Sequence, residues 1–185
     1  MWIGLVGSEM CIRDSTNCVG TNTGWIPIHI TIERDKELIA AMPLYLKSHS
    51  QGEFVFDHAW ANAFYQHGLD YYPKLVSSIP HTPASGPRFL LKDGEEKSVL
   101  FEKIKEGVKM ISSKNNISSW HILFPEKDEI NFYENSQLSI RKNAQFIWFN
   151  KNYKNFENYL ENFRSRHRKN VCLLYTSPSP RDLST

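Results

Sequence analysis

The first clear pattern along the chain is a period of two. Ile26, Ile28, Ile30 and Ile32 alternate with Pro27, His29, Thr31 and Glu33, which predicts a strand with one buried face. Arg34-Asp35-Lys36 supplies a turn, and Leu38–Leu46 returns as a run apolar on both faces, as expected of an inner strand. Together they predict a hairpin at the start of a sheet. Lys47–Gly68 breaks the pattern with a crowd of His and aromatic residues. Its later part predicts a short helix from His58, with Asp57 as N-cap and Gly68 as stop. Tyr71–Val76 reads as a short strand. Pro80–Arg88 reads as loop, because three prolines and a glycine deny the backbone a ladder. Asp93 and Glu96 have the spacing of a capping box, and Phe101, Ile104, Val108 and Ile111 follow at helical spacing, predicting a helix to about Lys114. A strand at Trp120–Phe124, a helix at Glu126–Asn135 and a strand at Gln145–Phe149 follow. Phe156, Tyr159, Leu160 and Phe163 then mark an amphipathic helix that ends in the basic run Arg164–Asn170. Strands lead and helices interleave, so the expected class is mixed α/β.

Neither end of the chain shows such periodicity. Leu5–Ser15 and Cys172–Asp182 can be encoded by one DNA element read on opposite strands, which resembles the transposase adaptor of fragment libraries. The expected organisation is therefore residues 1–15 adaptor-derived and unstructured, residues 16–171 the protein proper, and residues 172–185 again adaptor-derived and unstructured. A signal peptide at Met1–Gly7 is disfavoured because no basic segment precedes it and Glu9 interrupts the apolar run.

Thr16–Val171 fits one domain with one core. With the ends set aside, its balance is 20 basic against 17 acidic residues, a net +3 too mild to argue for nucleic acid. Of the three cysteines only Cys18 remains, which points to a reducing compartment and gives no zinc spacing. No apolar run is long enough to span a bilayer.

His49, His58 and His67 with Glu53 and Asp57 raise the question of a metal. No His-x-x-x-His or Glu-x-x-His pair occurs, so no metal is expected. Ser85 lacks a Gly-x-Ser-x-Gly elbow, and Cys18 has no neighbour to lower its pKa. The rigid Pro/Gly loop with Arg88, and Lys74 nearby, suits a carboxylate or phosphate; an ordinary turn with a surface arginine explains it equally. The closing basic run suits phosphate or RNA backbone, and a helix C-terminus favours such cations through its dipole alone.

Several strings carry a resemblance: Thr23-Gly24-Trp25, Ala41–Ser50, Gly52–Asp57, Tyr71–Leu75, Pro80–Pro83 with Gly86-Pro87-Arg88, and Arg168-Lys169-Asn170. Together they resemble the bacterial Fem-like peptidoglycan biosynthesis/recognition proteins, predicted N-acyltransferases with GNAT-type folds. The resemblance implies a GNAT-like half domain with a central, mostly antiparallel sheet flanked by helices, in a cytoplasmic protein. It implies transfer of an acyl or aminoacyl group, from acyl-CoA or aminoacyl-tRNA, to an amine of a small molecule or cell-wall precursor. It also implies a second half beyond the basic run; the Arg/Gln-x-x-Gly-x-Gly/Ala loop that would hold CoA is absent, so this chain is expected to be an inactive amino-terminal part. A non-catalytic domain recognising cell-wall precursors is the alternative. Residues matching the family's polar strings are Lys47, His49, Asp57, Trp60, Tyr72, Lys74, Thr82 and Arg88. Asp57 or His49 suits proton transfer, and Arg88 or Lys74 suits an anionic group.

Overall fold

The computed structural model describes residues 18–142, 144 and 148–176, with side chains of the last helix to Leu173. The chain divides into two compact units, Met1–Ile140 and Arg141–Thr185. The first unit holds strands β1 (Trp25–Pro27), β2 (Ile30–Arg34), β3 (Glu37–Met42), β4 (Tyr45–Lys47), β5 (Lys74–Ser77), β6 (Leu90–Leu91) and β7 (Trp120–Ile122). Its helices are α1 (His58–Gln66), α2 (Lys97–Asn115) and α3 (Lys127–Asn135). The class is mixed α/β, and every strand pair is antiparallel except β5 with β7.

Where one central sheet was expected there are two, ordered β1-β4-β5-β7 and β2-β3-β6. The long hairpin read from the alternating isoleucines crosses between them. Pairing runs to Pro27 opposite Tyr45 and resumes at Ile30 opposite Met42; between them lies Pro43, which has no N–H for a ladder. His29 bridges the gap: its Nδ1 accepts from the backbone N of Leu44 at 3.1 Å, while Ile28 N donates to Leu44 O at 2.8 Å. Leu44 is fully buried, so its N–H needs that partner.

Leu46, Leu75 and Trp120 stand in register across β4, β5 and β7 and face the main core. There they meet Phe101 and Ile104 of α2, both completely buried. The helical spacing of α2 is thus confirmed, its cap corrected. Asp93 lies in an exposed turn with Gly94 at φ +85°, and Glu96 occupies the cap position without a capping bond. Asp57 likewise holds the cap position of α1 without capping it, because its carboxylate is engaged elsewhere. Gly68, at φ +71°, follows that helix as expected.

The second unit holds α4 (Phe156–Leu160) and α5 (Ser165–Thr176). The single helix expected to end in the basic run is in fact two. Asn162 Nδ2 donates to the carbonyls of Asn158 and Tyr159 and so competes for the acceptors that would extend α4. Arg166, Arg168 and Lys169 consequently open α5, where the dipole disfavours cations, rather than close a helix. The helix also continues through Cys172–Thr176, residues expected to be unstructured. Of the strand read at Gln145–Phe149, Gln145, Phe146 and Ile147 lie outside the described residues, as do residues 1–15. Among the described residues no helix is long and apolar enough to cross a membrane.

Candidate functional site

The opposite face of the four-stranded sheet carries charge. Trp25 of β1 is the register partner of Lys47 on β4, and Lys47 is the partner of Lys74 on β5. Cross-strand partners project to the same side, so the three form one row. All three are completely buried. The segment after β4 brings the counter-charges: Glu53 and Asp57 are 3% and 2% exposed.

Lys74 uses its whole donor set within this cluster. Its Nζ donates to Asp57 Oδ2 at 2.5 Å, to Glu53 Oε2 at 2.8 Å and to Ser50 Oγ at 2.8 Å. An ammonium has three N–H groups, so none remains for an incoming anion. Asp57 Oδ2 also accepts from Tyr71 OH at 2.8 Å and Ser50 Oγ at 2.9 Å. Since the single Ser50 proton points to Asp57, the 2.7 Å contact with Tyr72 must have the Tyr72 hydroxyl donating to Ser50 Oγ. Ser50 and Tyr72 are only half-buried and form the edge of the cluster nearest solvent.

The two carboxylates are held differently. Burial alone would raise the Asp57 pKa, but the bonds from Lys74, Ser50 and Tyr71 outweigh it and keep the group below its ordinary value. Glu53 has Lys74 as its hydrogen-bond partner, and burial pushes it up. Glu53, not Asp57, is therefore the carboxylate that takes up a proton more readily. Burial and the bond to Asp57 raise Tyr71, which stays a neutral donor. Each carboxylate keeps one buried oxygen, Glu53 Oε1 and Asp57 Oδ1, without a hydrogen-bond partner among the described residues.

Lys47 lies beside this network. Its Nζ sits 3.6 Å over the Trp25 ring and donates to Gln51 O at 3.0 Å. Burial brings its pKa down to about 8, against the pull of Glu53. His49 is tied to the same loop, its Nδ1 accepting from Gln51 N at 3.2 Å. Burial and then Lys47 hold the His49 pKa below its usual range, so the imidazole is neutral. Gly24, at φ +70°, leaves the space its ring occupies.

Of the residues singled out in the sequence, the fold brings Asp57, Lys74 and Tyr72 into one network, with Lys47 and His49 alongside. The other three form different contacts. Trp60 is on α1, with its exposed ring 6.4 Å from His121. Thr82 donates to Pro80 O at 3.2 Å. Arg88 is 1% exposed and braces the main chain, with Nε on Leu123 O at 2.8 Å and Nη2 on Ala84 O at 2.5 Å. Burial lowers its pKa, opposed by Glu129. Sequence reasoning weighed Glu53 only as a metal ligand and so missed its place here. Among the described residues no three His, Cys, Asp or Glu side chains gather as a metal site.

A family profile described as FemAB-like, peptidoglycan biosynthesis/recognition, matches residues 11–173. The chain belongs to the FemAB-like family. The match takes in the whole lysine–carboxylate cluster and both units described above. No curated protein and no solved structure gave a significant match. As a FemAB-like protein, the chain has its place in peptidoglycan biosynthesis or recognition.

Proposed function

We propose that this FemAB-like chain is the acceptor-binding part of a GNAT-like N-acyltransferase, and that its cluster receives the amine of a cell-wall precursor. The observation that supports this is the pair of buried, unsatisfied oxygens Glu53 Oε1 and Asp57 Oδ1 beside two buried lysines. Lone acceptors at such depth cost about 1–3 kcal/mol each until a donor arrives, and an ammonium brings three N–H donors. Glu53 would take the proton that the ammonium must lose before its nitrogen can attack an acyl carbonyl, and Asp57, held ionised, would orient it. Lys74 keeps both carboxylates in place, and Lys47 supplies positive charge next to the forming oxyanion. The donor, acyl-CoA or aminoacyl-tRNA, would be held by a second half, since the CoA-binding loop motif is absent from this chain. By itself the chain would bind the acceptor and transfer nothing.

The test is calorimetric titration of the whole chain with a peptidoglycan stem peptide carrying a free side-chain amine, and with the same peptide acetylated on that amine. Binding that falls at least tenfold on acetylation, and equally on Glu53→Gln, supports the reading. Equal affinity for both peptides overturns it.

A further inference from the structure

The mild net charge of the whole chain, +2, conceals an unequal distribution. Residues 18–140 hold 12 basic and 15 acidic side chains, a net −3, whereas residues 141–176 hold eight basic and two acidic, a net +6. All eight cations of the second segment are exposed. Three of them, Arg166, Arg168 and Lys169, lie in the first half of α5, where the helix dipole makes cations unfavourable. Local helix stability does not explain them.

The same segment exposes its largest apolar side chains. Trp148 is 61%, Phe149 70% and Phe156 45% exposed. Trp148 and Phe156 rim a cluster centred on Tyr159, whose ring lies 5.0 Å from Phe163, 5.2 Å from Tyr153 and 6.1 Å from Trp148. Arg168 Nη2 donates to Phe163 O at 3.4 Å, which ties the basic helix to that cluster. Cations and exposed Trp and Phe in one small unit are the pairing that an anionic bilayer surface selects: the charges meet lipid phosphates and the rings enter the headgroup boundary.

We infer that residues 148–169 form a peripheral docking surface for an anionic phospholipid membrane. RNA would satisfy the charges equally well, but a base stacks on an open ring face. In this cluster the rings of Trp148, Tyr153 and Phe163 stand at 74°, 75° and 77° to that of Tyr159, packed crosswise around one centre rather than laid out as a row of platforms for successive bases. What remains outward is an apolar knob beside a basic helix.

Flotation of the full chain with vesicles tests this. Binding is expected to an equal mixture of phosphatidylcholine and phosphatidylglycerol and not to phosphatidylcholine alone, and to weaken as salt is raised. Arg166→Glu with Lys169→Glu should lower the partition at least tenfold, since each basic side chain at such a surface is worth about fivefold. Trp148→Ser with Phe149→Ser should remove the part of the binding that survives high salt. Both pairs alter exposed residues, and an unchanged urea midpoint verifies folding. The inference is overturned by absent binding, by equal binding to neutral vesicles, or by a short RNA that binds the chain and displaces it from the vesicles.

Discussion

Replacing Lys74 by Met is the most demanding test of the buried cluster. The substitution keeps most of the side-chain volume and removes one ammonium that satisfies Asp57, Glu53 and Ser50 together. Two carboxylates would then share a buried site with Lys47 as the nearest cation, and Lys47 already has a depressed pKa. Breaking a buried ion pair from one side costs about 3–5 kcal/mol, out of a total of about 5–15 kcal/mol for a domain. With a urea slope of about 2 kcal/mol per molar, the midpoint should fall by about 2 M. The loss should depend on pH in a definite direction. In the native chain Asp57 has a lowered pKa, so its contribution is present above the unfolded value of 3.8 and is lost as pH falls through the folded one. Without Lys74 both carboxylates would have raised values, so the variant would be penalised above the unfolded values and relieved below them. The gap between native and variant midpoints should therefore narrow between pH 7 and pH 4. If the variant is too unstable to measure, adding Glu53→Gln and Asp57→Asn should restore a cooperative transition. A midpoint shift below 0.5 M, or a gap that ignores pH, would refute the assignment of Lys74 as the keystone of this cluster.

Lys47 makes a second pH prediction. Its folded pKa of about 8 lies below the ordinary lysine value of 10.5, so the unfolded chain binds more protons across that window and stability should rise with pH through it. The gain over the whole window is about 3 kcal/mol, read as the urea-midpoint difference between native chain and Lys47→Met, which cancels the other titrating groups. Gly24→Ala would set a β-carbon 2.1 Å from His49 Nε2 at a left-handed φ of +70°. A loss of about 2 kcal/mol in urea, with a shift of the His49 ring resonances, is expected. His29→Ala should cost about 1–3 kcal/mol by orphaning the buried Leu44 N–H, and a cost near zero would show that the bridge between the sheets is dispensable.

The elements legible in the sequence were those with one dominant periodicity. Phe101, Ile104 and Val108 repeat at helical spacing because one face of α2 meets the core, and that face is buried as read. The isoleucine alternation revealed β structure but not the transfer between sheets, since the alternation runs on through Ile28 and His29 while the strand pairing is interrupted there, opposite Pro43. The basic run was placed at the wrong end of a helix because Asn162 acts through its side chain on the main chain, which apolar spacing does not register. Asp57, Lys74 and Tyr72 were singled out as polar strings, yet their mutual engagement came from the register of β4 with β5 and from the return of the 48–57 segment. Glu53 stood in plain view and lacked any spacing motif. Arg88 was read either as an anion binder or as an ordinary surface arginine, and its burial against main-chain carbonyls was not foreseen because a sequence shows a guanidinium but not the carbonyls that surround it.

The row Trp25, Lys47, Lys74 also acts as a proofreader of strand alignment. A one-residue slip of β4 would exchange Lys47 with Leu46, driving an ammonium into the apolar core and turning leucine toward the carboxylates. Hydrophobic patterning alone penalises such a slip by misplaced methylenes; here it is penalised again by an ion stranded away from its partners. Any sequence drift that erodes the chemistry of this face therefore also loosens the rule by which the sheet finds its alignment, so the site and the fold are maintained by the same residues.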